Sequence, residues 1–201
     1  MYGFARPLPP DRRLWERAEA GDRQILFREL SAAAGRTGPK TGYIPALQVM
    51  APWERRGADV WKTTGGEHRR FVGVECEVNI DGRGWLFCGR AAERLSGGDL
   101  AIFEQIIAGN FASFLSIMAA FYGAASYHGH VDVGLAVVGI EGGVSGSRRA
   151  LDFYGQDYGA PTYTRTERLS AAELGDPERI AGEILRPLMT ATAGDAFDPF
   201  A

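Results

Sequence analysis

Cysteine and histidine are scarce in this chain, which has 2 cysteines and 3 histidines among 201 residues. Cys76 and Cys88 have no CxxC spacing and are too few for a disulfide framework, so we expect two free, mostly buried thiols. The first residues, MYGFARPLPP, contain no apolar run of signal-peptide length. Both features favour a reducing cytoplasm as the location of the protein.

The chain also lacks an excess of positive charge. It has 22 Lys and Arg against 25 Asp and Glu, which gives a formal net charge of −3. General nucleic-acid binding relies on surplus cations that neutralise phosphates, so this balance does not favour a nucleic-acid partner. Among the first 40 residues the arginines alternate with acids, a pattern typical of a solvated helix face with ion pairs.

Asp, Glu, Lys and Arg are all missing between Glu104 and Asp132. The length of this segment would suit a membrane span, but Gly, Asn and Ser interrupt it and no cationic cluster flanks it. We therefore expect no membrane partner. The segment instead predicts a long helix, capped by Asp99 and running to about Ser126, that is buried in a domain centre or a subunit interface.

Motifs of common enzymes are missing as well. The sequence has no G-x-S-x-G elbow for a nucleophilic serine, and neither G-x-x-x-x-G-K-[ST] nor G-x-G-x-x-G for a phosphate loop. A non-enzymatic protein is therefore favoured, although the sequence leaves catalysis open.

The clearest secondary-structure signal is a β-hairpin. In FVGVECEVNI apolar and polar residues alternate, DGRG supplies the turn, and WLFCG supplies the second strand. The register of this hairpin decides whether Cys76 and Cys88 are neighbours.

Other segments give weaker signals. We predict a helix over 11–34 with a break at Gly21, an edge strand in YIPALQVMAPW, and a surface excursion over 54–68 from which Trp61 packs back. Strands follow at 130–140 and in TYTRTERLS, the latter near an edge. The final helix is capped by Asp176 and should end or kink at Pro187.

These elements predict the α+β class. We expect a mixed, mainly antiparallel sheet with a long buried central helix and with N- and C-terminal helices packed on it. Residues 1–10 read as an irregular arm, 11–192 as a single α+β domain, and 193–201 as a flexible acidic tail.

The stretch HGHVD is the best lead for catalysis. On a strand, His128, His130 and Asp132 would share one face and could hold zinc for a small metal-dependent hydrolase. Gly129 suggests a turn instead, in which case the histidines need not converge and Asp132 bonds to nearby groups. His68 is the only further histidine that could join them. We expect no cofactor unless this zinc site forms.

A glycine-rich segment, GIEGGVSGSRR, follows the strand at 130–140. Its amides, with Arg148 and Arg149, could bind a phosphate or another small anion, or nucleic acid; the alternative is a surface loop. The next segment, LDFYGQDYGAPTY, could line a ligand cleft with Asp152, Tyr154 and Tyr158. Its aromatic residues could equally pack a long loop onto the domain.

Several strings occur in a familiar order: GWLFCGRAAER, a long helix, HVDVGLAVVGI with GGVSG, and TRTERLSAAEL before a final helix. In this order, over about residues 70 to 190, the chain resembles the region that follows the AlbA/Schlafen-type domain in bacterial proteins described as transcriptional regulators or ATP-binding proteins. The sequence has no counterpart of that family's nucleic-acid- or nucleotide-binding module. The resemblance implies a sensing, docking or dimerising domain.

The leading hypothesis from the sequence is therefore a non-enzymatic regulatory or interaction domain that forms a homo-oligomer, most simply a homodimer, and binds a protein or a small anionic ligand. The alternatives are the metal-dependent hydrolase at HGHVD and the phosphate-ligand or nucleic-acid binder at 139–149.

Overall fold

The computed structural model of the chain describes residues 1–20, 22–38, 45–65, 73–149, 157–194 and 197–200, with the backbone alone at 148 and 149. Its strands are β1 Tyr2–Leu8, β2 Glu54–Arg56, β3 Val60–Gly65, β4 Val74–Asn79, β5 Gly84–Cys88, β6 Ala92–Arg94, β7 Leu100–Ile102, β8 His130–Val138, β9 Gly143–Ser145 and β10 Thr162–Ser170. Its α-helices are α1 Leu14–Ala18, α2 Arg23–Ala34, α3 Glu104–Ala124, α4 Gly146–Arg149 and α5 Pro177–Ala193. Two short 3-10 helices cover Ala46–Gln48 and Ala171–Gly175.

Two sheets organise the domain, and they confirm the predicted α+β class. Seven strands form an antiparallel sheet in the order β10-β8-β1-β5-β4-β3-β2. A small sheet, β6-β7-β9, is mixed, since β7 pairs antiparallel with β6 and parallel with β9.

The central helix is buried, as its apolar composition predicts. α3 packs between α2 and α5 and lies against β1 and β5. By length and composition it could also cross a membrane, but 78% of its most apolar window is buried inside the domain. Its start differs from the prediction: Asp99 does not cap it, because β7 intervenes and the helix begins at Glu104.

The prediction of an irregular arm over residues 1–10 is wrong. β1 lies inside the large sheet and pairs with β5 on one side and β8 on the other. Its prolines suggested an arm, because proline lacks the amide that a central strand needs. Pairing with β5 ends at Ala5, however, and Pro7 lies beyond it, opposite Val131 of β8.

The helix predicted over 11–34 with a break is two helices, since α1 ends at Ala18 and α2 begins at Arg23. Asp22 caps the second by accepting a hydrogen bond from the Gln24 amide. Four smaller predictions need correction. The strand predicted around residue 47 is a 3-10 helix, and the excursion at 54–68 contains the hairpin β2–β3. Helix α5 continues through Pro187, and Phe200 of the predicted loose tail packs on the core.

The predicted hairpin of β4 and β5 is confirmed, and its register shows how the two cysteines are placed. Cys76 lies opposite Leu86 and Cys88 opposite Val74, so both thiols point to the helix side of the sheet. Both are free and buried, as expected. Burial raises the pKa of both thiols, which keeps them protonated and unreactive.

Candidate functional site on the open face of the sheet

The helices lie on one side of the seven-stranded sheet; we call the other side the open face. Outward positions of a one-sided antiparallel sheet are normally polar. On the two central strands β1 and β5 four of them are aromatic instead: Tyr2, Phe4, Trp85 and Phe87, which we call the aromatic strip. Tyr2 is 50% exposed and Trp85 47% exposed.

Strand pairing brings the four rings together. Tyr2 is opposite Phe87 with ring centroids 5.4 Å apart, and Phe4 is opposite Trp85 at 6.1 Å. Both pairs are tilted, by 49° and 46°. Such distances and angles are favourable for aromatic pairs, so the strip is an ordered surface rather than a set of separate side chains.

A row of charges crosses the open face at one end of the strip. Arg6 of β1 and Arg168 of β10 lie opposite Asp132 of β8 on either side; we call these three residues the arginine–aspartate row. One Nη of Arg6 donates to Oδ2 of Asp132 at 2.8 Å. The Nε of Arg168 donates to Oδ1 at 2.8 Å, and its Nη donates to Oδ2 at 3.3 Å.

The aspartate of the row is buried, and its two arginines are exposed. The Asp132 side chain is 9% exposed, whereas Arg6 and Arg168 are 53% and 64% exposed. Hydrogen bonds from Arg168, which has the larger effect, and from Arg6 hold the pKa of the Asp132 carboxyl below its ordinary value. The same contact with Asp132 raises the pKa of Arg168. The cluster is therefore ionised at neutral pH, with one buried anion orienting two exposed cations.

Acidic residues border the other long side of the strip. Glu75 and Glu77 of β4 lie opposite Phe87 and Trp85. Lys62 pairs with Glu75 at 2.7 Å, and Arg56 pairs with Glu77 at 3.2 Å. The open face thus has an aromatic centre and flanks that carry both signs of charge.

The stretch HGHVD falls partly on this face. His130 and Asp132 are outward residues of β8, but His128 precedes the strand and is exposed. The Tyr127 side chain holds the turn between His128 and His130. Its hydroxyl oxygen accepts a hydrogen bond from the Leu8 amide and lies within hydrogen-bond distance of the Leu8 and His130 carbonyl oxygens. A β-carbon at Gly129 would lie 2.4 Å from that hydroxyl.

The predicted metal site gains no geometric support from these positions. Both oxygens of Asp132 accept hydrogen bonds from arginine. In the part of the chain that the structure describes, no group of three or more His, Cys, Asp or Glu residues could hold a metal ion. His68 lies outside that part. The site remains a prediction, which metal analysis of wild-type and His130→Ala protein would test.

The predicted ligand loop is described in part. Arg148 and Arg149 end α4, where the backbone alone is described, and Asp152 and Tyr154 lie outside the described residues. The Tyr158 amide donates to the Gly143 carbonyl, and its side chain packs on the core. The Ser147 amide and hydroxyl donate to the buried Glu104 carboxylate at 3.3 and 3.2 Å. Ser147 of this loop therefore already donates two hydrogen bonds within its own chain, and the role of the loop in binding a ligand remains a prediction.

The prediction of an irregular arm over residues 1–10 leaves no place for the aromatic strip. A signal was present in YGFAR, where large side chains at positions 2, 4 and 6 alternate with glycine and alanine. The same alternation in WLFC places Trp85 and Phe87 together on one face.

Comparisons with protein-family models, with curated proteins and with solved structures found no match for this chain. The fold and the site define a class in structural terms only: an α+β domain with one face of its sheet covered by helices and the other face exposing aromatic residues.

Proposed function

We propose that this chain is an interaction domain that forms a homodimer by packing its open face against the open face of a second copy. The exposure of Tyr2 and Trp85 at the centre of a sheet carries the proposal. Exposed apolar patches with a polar border mark interaction surfaces, and aromatic residues and arginine are enriched in them.

The surface proposed for the dimer lies on the sheet and not on α3. The sequence suggested that this apolar helix could form a subunit interface, but its own chain already surrounds it. The large apolar side chains left exposed on the sheet are Tyr2, Trp85 and Val138, and all three point outward on the open face.

The open face approaches the size of a standard interface. Its seven strands, spaced about 4.8 Å apart, give a width of roughly 30 Å, and strands of about six residues give a length of roughly 20 Å. This is about 600 Å² in plan, and side chains add accessible surface to it. A standard interface buries about 800 Å² per partner.

The charges on the open face favour a second copy over a nucleic acid. Arg6, Arg168, Lys62 and Arg56 share the face with Asp132, Glu75 and Glu77, so the face carries both signs of charge. A two-fold interface must be self-complementary, which a face with both signs permits. Phosphates that followed bases stacked on Trp85 and Phe87 would instead meet the carboxylates of β4.

Sedimentation velocity over a range of micromolar concentrations tests the proposal. We expect the wild-type chain to sediment with twice its monomer mass, and Trp85→Ser to shift it towards the monomer. Ile25→Ser is the matched control, because Ile25 is 45% exposed on α2, away from the sheet. A wild type that is monomeric throughout, or a Trp85→Ser variant that dimerises as tightly as Ile25→Ser, would contradict the proposal.

A further inference from the structure

The arginine–aspartate row differs in stoichiometry from the two ion pairs on the β4 side of the open face. Asp132 is shared by two arginines, Arg6 and Arg168. Lys62 and Arg56, on the same face, each have a glutamate to themselves. The row therefore carries one uncompensated positive charge.

Most of the hydrogen-bonding capacity of the row is unused. Asp132 accepts three hydrogen bonds from the two guanidinium groups. The remaining N–H donors belong to side chains that are 53% and 64% exposed, so they face solvent above the sheet. One Nη of each arginine bonds the same oxygen, Oδ2, which makes the two groups converge.

The buried carboxylate also reduces the entropic cost of binding. Two long side chains on separate strands would normally lose rotamer freedom when they close on an anion. Here Asp132 already holds both through three hydrogen bonds. This is pre-organisation of a first layer of donors by a buried group.

The surroundings of the row suit an anion. His130 is the next outward residue of β8 and is exposed, so its ring N–H can donate a further hydrogen bond to an anion. Glu173 is the acid near His130, and it accepts bonds from the Ser170 amide and hydroxyl. Glu75 and Glu77 are three strands away from β8, a distance of about 14 Å.

We propose that the arginine–aspartate row binds the phosphate group of a small phosphorylated ligand. Guanidinium forks match the paired oxygens of phosphate, and two converging forks with a net charge of one suit a tetrahedral anion. The site lies at one end of the open face, beside the aromatic strip. It also places the anion-binding function on β1, β8 and β10 rather than on the loop at 139–149. Because a second copy packed on the strip would come close to it, phosphate is titrated into Trp85→Ser, the variant expected to be monomeric, as well as into the wild type.

Titration with inorganic phosphate at constant ionic strength tests this site, with backbone amide shifts and the rise in Tm as readouts. We expect saturable shifts at β1, β8 and β10 in the wild type. Arg168→Gln should weaken the affinity by about tenfold or more, since charge-assisted hydrogen bonds are lost. Arg56→Gln is the matched control, because Arg56 is an exposed arginine paired with Glu77 on the same sheet.

A second variant guards against failure of the first to fold. Arg6→Gln leaves the two hydrogen bonds between Arg168 and Asp132 in place and should weaken phosphate binding as well. The proposal is overturned if phosphate leaves both the wild type and Trp85→Ser unchanged, or if both glutamine variants bind as tightly as wild type. Loss of binding in Arg56→Gln to the same degree would also overturn it, because the effect would then be general to surface cations.

Discussion

Phe4 and Gly134 lie opposite each other on β1 and β8, and the ring of Phe4 occupies the space that a side chain at Gly134 would need. A β-carbon at Gly134 would lie 2.5 Å from Cε1 of Phe4 and 3.0 Å from the Arg165 carbonyl oxygen. The ring therefore extends sideways over β8. This glycine sets the shape of the aromatic strip on the side nearest the arginine–aspartate row.

Gly134→Val should disrupt the strip. The new side chain must displace Phe4 and press on the β10 backbone, an overpacking that we expect to cost about 1–3 kcal/mol in the free energy of unfolding. Urea unfolding measures the change. Ala136→Val, at the next outward position of β8, is the control and should be tolerated, since valine suits strands. Equal stability of Gly134→Val and wild type would refute the close contact.

The stability contributed by Asp132 should depend on pH. The pKa of this carboxyl is lowered from 3.8 by hydrogen bonds from Arg168 and Arg6. A lowered folded-state pKa stabilises the fold above the unfolded value, and that stabilisation is lost as the pH falls through the folded value. We expect Asp132→Asn to cost about 1 kcal/mol at pH 7 and progressively less below about pH 4. A difference between variant and wild type that stays constant from pH 7 to pH 3 would count against the row.

Tryptophan quenching should report the dimer directly. Trp15, Trp53 and Trp61 are buried, whereas Trp85 is half exposed on the open face. Acrylamide should quench Trp85 in the dilute monomer and much less in the concentrated dimer. Trp85→Phe removes the accessible fluorophore and should abolish the dependence on concentration. If wild-type quenching is the same at all concentrations while sedimentation shows a dimer, the interface lies elsewhere.

The two cysteines should stay unreactive until the chain unfolds. Cys76 and Cys88 are buried on the helix side of the sheet, and burial raises the pKa of both thiols. We expect a thiol reagent to label neither in native protein and both in guanidinium chloride, with Thr164→Cys on exposed β10 as a rapidly labelled control. Rapid native labelling of Cys76, or a bridge between the two in non-reducing mass spectrometry, would show that the register is wrong.

Periodicity predicted the elements whose partners lie nearby in the sequence. The hairpin of β4 and β5 has a short turn, and α5 has its own cap in Asp176 and Pro177, so local signals suffice for both. β1 is different, because its partners β5 and β8 lie about 80 and 130 residues further along the chain. The prolines of this segment favour an irregular arm, so local patterns predict neither β1 nor the aromatic strip.

The candidate site depended on the same long-range pairing. Asp132 was singled out from the sequence, but its partners Arg6 and Arg168 are 126 and 36 residues away. No spacing rule links these three positions. The register of β1, β8 and β10 brings the three residues together. Asp132, which the sequence offers as a metal ligand, accepts hydrogen bonds from both arginines.

Contacts between copies at the aromatic strip test the central claim most directly. In an equal mixture of isotope-labelled and unlabelled chain, filtered NMR experiments detect only proton pairs that join two protomers. We predict such contacts among the rings of Tyr2, Phe4, Trp85 and Phe87 and from them to the Val138 methyl groups. Intermolecular contacts confined to α2 or to the free edge of β10, or none at concentrations well above micromolar, would contradict a dimer formed through the open face.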